Sequence, residues 1–123
     1  MSTLRTGIDL IEIDRFCSAF QRYEQRLLQR LFTAQELAEN GVNLASLAAR
    51  FAAKEAIVKA FGTGIGHITW KDMEIQRGPS GEPVLRLYGP AQELASQLGL
   101  IHCALSLSHT QNYAIAVVVM MGE

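Results

Sequence analysis

The chain has 123 residues, 49% of them hydrophobic, and a formal net charge of −1. That length fits one compact domain spanning 1–123, with a modest core and little room for a second. The charge gives no bulk attraction for nucleic acid and no run of about 18 apolar residues offers a membrane span. The acids inside MSTLRTGIDLIEIDRF are wrong for a signal peptide, so a cytoplasmic protein is expected.

In chain order, Thr6 to Ile13 alternates as a strand with acids on both faces. Asp9 is flanked there by apolar neighbours, a costly place for a carboxylate unless something pairs with it, and a nearby backbone amide would serve. Asp14 is expected to cap a helix from Arg15 to about Leu31. Along that helix Arg15, Arg22, Arg26 and Arg30 approximate one face, with Glu24 the single acid and Phe16, Phe20, Tyr23 and Leu27 on another face. Such a face is either simply solvated or a docking surface for an acidic protein. Thr33 and Glu36 spell a capping box for a short second helix that Gly41 ends.

Arg50 to Gly66 reads RFAAKEAIVKAFGTGIG, an alanine-rich helix with no proline. Ala52, Glu55, Lys59 and Gly62 recur at steps of three or four and share one stripe. Phe51, Val58 and Phe61 fall off it as packing residues. Glu55 and Lys59 alone describe an ordinary exposed pair equally well. Three alternating glycines, Gly62, Gly64 and Gly66, go further, because they can bring bare backbone close to a ligand. Yet the loop leaves the negative end of the helix, so a phosphate there needs added positive charge. Lys59 supplies part of it, and a divalent cation held by Glu55 would supply more. No P-loop or Rossmann pattern is present.

Ile68 to Gln76 and Pro83 to Tyr88 form a hairpin around Gly78-Pro79-Ser80-Gly81. Gly89 to Gln97 is a short helix closed by Gly99. Ile101 to Ser108 and Tyr113 to Met121 are two more strands, the last so apolar that it is central or buried at an interface. His109 opens the polar turn between them, either solvated or functional. Cys17 and Cys103 lack metal spacing and read as small buried hydrophobes.

The segments GIDLIEIDRF, RFAAKEAIVKAFGTGIG, ITWKDMEI, SGEPVLRL and LSLSHTQNYAIAVVV cover nearly the whole chain. Together they resemble holo-acyl-carrier-protein synthase, the small single-domain branch of the 4′-phosphopantetheinyl transferases. The resemblance implies an α+β fold, an antiparallel sheet packed with a long helix and shorter helices. It also implies Mg2+-dependent transfer of phosphopantetheine from coenzyme A to a serine of an acidic apo acyl carrier protein, releasing adenosine 3′,5′-bisphosphate. A homotrimer with active sites between subunits is implied as well, serving fatty-acid or secondary-metabolite synthesis.

Carried over residue by residue, the resemblance puts the metal ligands on Asp9 and Glu55 and the phosphate-binding lysine on Lys59, these three being the catalytic set. The CoA loop falls on Gly62, Thr63 and Gly64 through Gly66, and CoA phosphate contacts on Arg50 and His109. Carrier docking falls on Arg15, extended by Arg22 and Arg26. The segment between Gly41 and Leu47 is shorter than in some relatives. Two other readings use the same residues: a non-catalytic CoA or nucleotide-binding module, which would not need both acids, and a metal-dependent phosphodiesterase.

Overall fold

A computed structural model describes residues 3–23, 25–41 and 43–123. The chain runs β1 (Thr3–Glu12), α1 (Ile13–Tyr23), α2 (Gln25–Leu31), α3 (Ala34–Asn40), α4 (Leu44–Phe61), a 3-10 turn (Trp70–Asp72), β2 (Met73–Arg77), β3 (Pro83–Leu87), α5 (Gly89–Gln97), β4 (His102–His109) and β5 (Tyr113–Gly122). Strands β1, β5 and β4 form an antiparallel sheet in that order, and β2 pairs with β3 in a separate hairpin. The α+β reading holds, with two sheets where one was expected. The apolar run of β5 follows from its central place, but only one face is covered. Ala114, Ala116, Val118 and Met120 are buried, while Tyr113, Val117, Val119 and Met121 are exposed.

Helix α4 lies across the covered face and is buried nearly all round, through Ala48, Ala49, Ala52, Ala53, Ala56 and Ala60 among others. Small side chains on every side let neighbouring elements approach closely. Gly7 on β1 is the extreme case, since a Cβ there would stand 1.8 Å from the Ala56 carbonyl oxygen. Bare strand backbone therefore lies directly on α4. Asn43 caps the helix start by accepting the Ser46 amide at 3.0 Å, and Gly62 ends it at φ 78°, a left-handed conformation that favours glycine. Two apolar clusters, one around α4, β5 and β2, the other around α1, α2 and the start of α4, share Ile11, Trp70 and Leu107.

Inside this core Lys54 is fully buried and donates to Glu36 Oε1 at 2.6 Å, to the Leu31 carbonyl at 2.6 Å and to the Trp70 carbonyl at 3.0 Å. Glu36 in turn accepts the amides of Thr33 at 2.9 Å and Ile75 at 2.8 Å. One ion pair thereby joins α2, α3, α4 and β2. The capping box expected at Thr33 and Glu36 is present, and Gly41 closes α3.

Several expectations are corrected. The single helix from Arg15 to Leu31 is two helices, and Glu24 lies outside the described residues. Helix α1 begins at Ile13, whose amide donates to Asn112 O at 2.9 Å, so Asp14 sits in the first turn instead of capping it. Tyr23 is exposed, not part of an apolar face. The strand expected from Ile68 begins only at Met73, because the Asp72 carboxylate accepts the Thr69 amide at 3.0 Å and rolls the preceding residues into a 3-10 turn. Cys103 is exposed and Cys17 half-buried, both free thiols. His109 is the last residue of β4, and the turn after it is tied by the Tyr113 amide donating to Thr110 Oγ1 at 3.1 Å.

Candidate active site

Strand alternation sends Asp9 to the same side as Gly7, against α4. There the Lys59 ammonium donates to Asp9 Oδ1 at 2.9 Å and to the Ile8 carbonyl at 3.0 Å. Asp9 is 15% exposed and Lys59 55%, so the lysine is the solvent-facing member of the pair. Glu55 lies one helical turn before Lys59. Burial foremost, and then the charge of Asp9, push its carboxyl above the ordinary range, with Lys59 partly opposing.

Two neighbouring carboxylates are oxygen ligands suited to a hard divalent cation, whereas the Lys59 ammonium is itself a cation and can only pair with them or with a phosphate. Among the described residues no group of three His, Cys, Asp or Glu is gathered. Two carboxylates alone would leave most positions of an octahedral ion such as Mg2+ to phosphate oxygens and water.

Asp9, Glu55 and Arg15 share a groove of about 560 Å3 with Phe16, Ala19, Leu27, Leu31, Phe51 and Tyr113. A larger groove of about 620 Å3 between β3 and β4, lined by Leu85, Arg86, Tyr88, His102 and Cys103 among others, contains no carboxylate. Of the two, only the former carries acidic side chains. At the far end of α4, Gly62, Gly64 and Gly66 adopt φ of 78°, 70° and 52°, which accounts for their alternation.

The structure thus gathers Asp9, Glu55 and Lys59 at one place, with Arg15 on the same groove and the glycine loop three residues beyond Lys59. It does not bring Arg50 or His109 to them. Arg50 is nine positions before Lys59, half a turn around the helix, and is buried with Nη1 donating to Ser46 Oγ at 3.1 Å. Its Nε has no partner among the described residues, and burial, then Arg77, lower its pKa against the pull of Glu39 and Glu36. His109 is exposed and in register with Ala114, which is in register with Ile11, so it lies two strands from β1. Arg22 and Arg26 form a separate patch with Tyr23 and Gln25, where the Arg22 guanidinium lies 5.4 Å from the Tyr23 ring centroid.

Sequence reasoning missed two contributors. Gly7 had a signal, its place two residues before Asp9. Arg5, two residues earlier again, had only the same period-two spacing; its Nη1 donates to the Phe61 carbonyl at 2.9 Å and the Ala60 carbonyl at 3.3 Å.

Known proteins share this sequence and fold. The profile of the 4′-phosphopantetheinyl transferase superfamily matches residues 5–118. The chain is 47% identical to a holo-[acyl-carrier-protein] synthase of Herpetosiphon aurantiacus, over 97% of this chain and 99% of that protein. The fold superposes on the crystal structure of the Helicobacter pylori holo-[acyl-carrier-protein] synthase in complex with coenzyme A, with a TM-score of 0.86, 31% identity, and coverage of 94% and 98%. It also superposes on the Bacillus anthracis enzyme in complex with CoA (3′,5′-ADP), with a TM-score of 0.79, 32% identity, and coverage of 97% and 96%. The chain belongs to the 4′-phosphopantetheinyl transferase superfamily, among its holo-[acyl-carrier-protein] synthases.

Proposed function

We propose that residues 1–123 act as one Mg2+-dependent unit that moves the 4′-phosphopantetheine arm of coenzyme A to a serine of an acidic apo acyl carrier protein in the cytoplasm, releasing adenosine 3′,5′-bisphosphate. The observation that carries this reading is the cluster of Asp9, Glu55 and Lys59 on a groove shared with Arg15. Coenzyme A occupies the related Helicobacter pylori enzyme, which supports it as substrate here.

Asp9 and Glu55 would hold Mg2+, which when bound supplies charge neutralisation on the pyrophosphate. Lys59 turns from Asp9 to the phosphate oxygens and stabilises the charge that develops as the bisphosphate departs. The serine oxygen bonds to the β-phosphorus, the phosphorus bond to the bridging oxygen breaks, and the serine proton passes to Glu55, Asp9 or a water held by either. Burial, then the charge of Asp9, raise the Glu55 pKa, which favours its holding a proton. Arg15 on the groove, with Arg22 and Arg26 on the neighbouring patch, meets the acidic carrier. The exposed face of the sheet, with Leu4, Ile8, Leu10, Val117, Val119 and Met121, is a contiguous apolar surface that we assign to a homotrimer contact. His109, exposed but apart from the acids within one chain, then reaches CoA phosphates bound between subunits, and Arg50 would join it only by leaving its buried contact with Ser46 Oγ.

Titrating Mg2+ into Asp9→Ala and Glu55→Gln under saturating CoA and apo carrier tests the proposal. It predicts transfer rates reduced by about a hundredfold or more at ordinary Mg2+. Near wild-type rates would sink it.

A further inference from the structure

Helix α4 has a cation in its last turn, Lys59, that could neutralise its own negative end. The structure turns that ammonium away, to Asp9 and the Ile8 carbonyl. The terminal carbonyls of Ala60 and Phe61 are met instead by Arg5, reaching over from β1. The guanidinium is held flush against the loop, since a Cβ on Gly62 would come within 3.2 Å of Arg5 Nη1. Among the described residues, Nε and Nη2 of Arg5 make no hydrogen bond. A fixed cation therefore lies where the helix end would otherwise repel an anion, beside three glycines whose backbone is bare.

We propose that Arg5 is a positioning residue for CoA: it cancels the negative pole of α4 and holds the Gly62 turn, so that the loop and Lys59 can accept a CoA phosphate. This rests on the reading that the Gly62–Gly66 loop belongs to the CoA site. A plain helix cap needs only a donor to the two carbonyls, whereas neutralising the pole needs a charge. Substitution separates these roles.

The measurement is equilibrium binding of CoA, without carrier, to wild-type protein and to Arg5→Met, Arg5→Gln, Arg5→Lys and Lys59→Met, with the melting temperature of each. Arg5→Met and Arg5→Gln are expected to raise the CoA dissociation constant about fivefold at low salt, equivalent to about 1 kcal/mol. Arg5→Lys should stay within about twofold of wild type. Glutamine keeps a donor without the charge, so its melting temperature should recover relative to Arg5→Met while its CoA affinity does not. Wild-type affinity in Arg5→Gln overturns the proposal and leaves Arg5 a structural cap, and that arm suffices if Arg5→Met does not fold. Should Lys59→Met weaken CoA binding while neither neutral Arg5 variant does, the inference about Arg5 fails alone. Unchanged affinity in all four variants instead removes the loop from the CoA site.

Discussion

Glu55 carries the tension of the site. Its pKa is raised by burial and by Asp9, so the folded chain binds its proton more tightly than the unfolded chain does. The stability it contributes is present below the unfolded pKa and is lost as pH rises through the raised folded value. At neutral pH, without metal, the ionised side chain is therefore a liability, and Glu55→Gln should raise the melting temperature by about 2 °C. The gain should vanish in acid, where Glu55 is itself protonated, and calorimetry in chelator at two pH values checks both. The same variant should lose its response to Mg2+, so stability and function pull in opposite directions at one residue. The half-exposed Asp9–Lys59 pair contributes little stability, since solvent screens it. Glu55 and Lys59 were legible as one helical stripe, but their union with Asp9 spans fifty positions, and only the resemblance supplied it. Beyond its period-two spacing with Gly7 and Asp9, Arg5 gave no sign of its role, because its partners are main-chain oxygens 55 and 56 residues away.

At the level of elements, what could be read was what is local. The capping box of Thr33 and Glu36, the hairpin turn at Gly78 to Gly81 and the bounds of α5 follow from neighbours in sequence. Division of the arginine helix into α1 and α2 was not legible, nor was the 3-10 turn before β2, whose β-prone Ile68, Thr69 and Trp70 are overridden by the Asp72 bond. The Lys54–Glu36 pair was also invisible, since its members stand 18 positions apart on different helices with no shared local pattern. Burial lowers the Lys54 pKa even though Glu36 raises it, the mark of a charge held in a dry place. Lys54→Met would leave the fully buried Glu36 carboxyl without its cation, and should cost about 3–5 kcal/mol. Denaturant unfolding of Lys54→Met against Lys54→Met/Glu36→Gln measures it. The double variant should recover part of the loss, and an equal loss in both would assign the effect to packing alone.

For the whole molecule, the β1-β5-β4 sheet leaves one of its two faces apolar and exposed in the single chain. Its inner face is sealed by α4, while Ile8 at 56% and Leu10 at 59% exposure stand on the outer one. The apolar run of β5 fitted both a core strand and an interface strand, and it is central with one face uncovered. If copies of the chain close that face, Val119→Glu should drive the protein to monomers in sedimentation and reduce transfer steeply, because His109 would no longer meet the acids of a neighbour. A Val119→Glu protein that sediments as wild type would remove the contact from this face.

The central claim is that the Asp9–Glu55–Lys59 cluster passes phosphopantetheine between two partners. Intact-mass measurement of an apo acyl carrier protein, incubated with CoA, Mg2+ and the wild-type chain, tests it most directly. The account predicts that the carrier gains the mass of one phosphopantetheinyl group on its serine, and that the gain disappears with Glu55→Gln. Cleavage of CoA with no change in carrier mass would mean that water receives the group, and an intact CoA beside an unmodified carrier would leave only a binding module; either result contradicts the account.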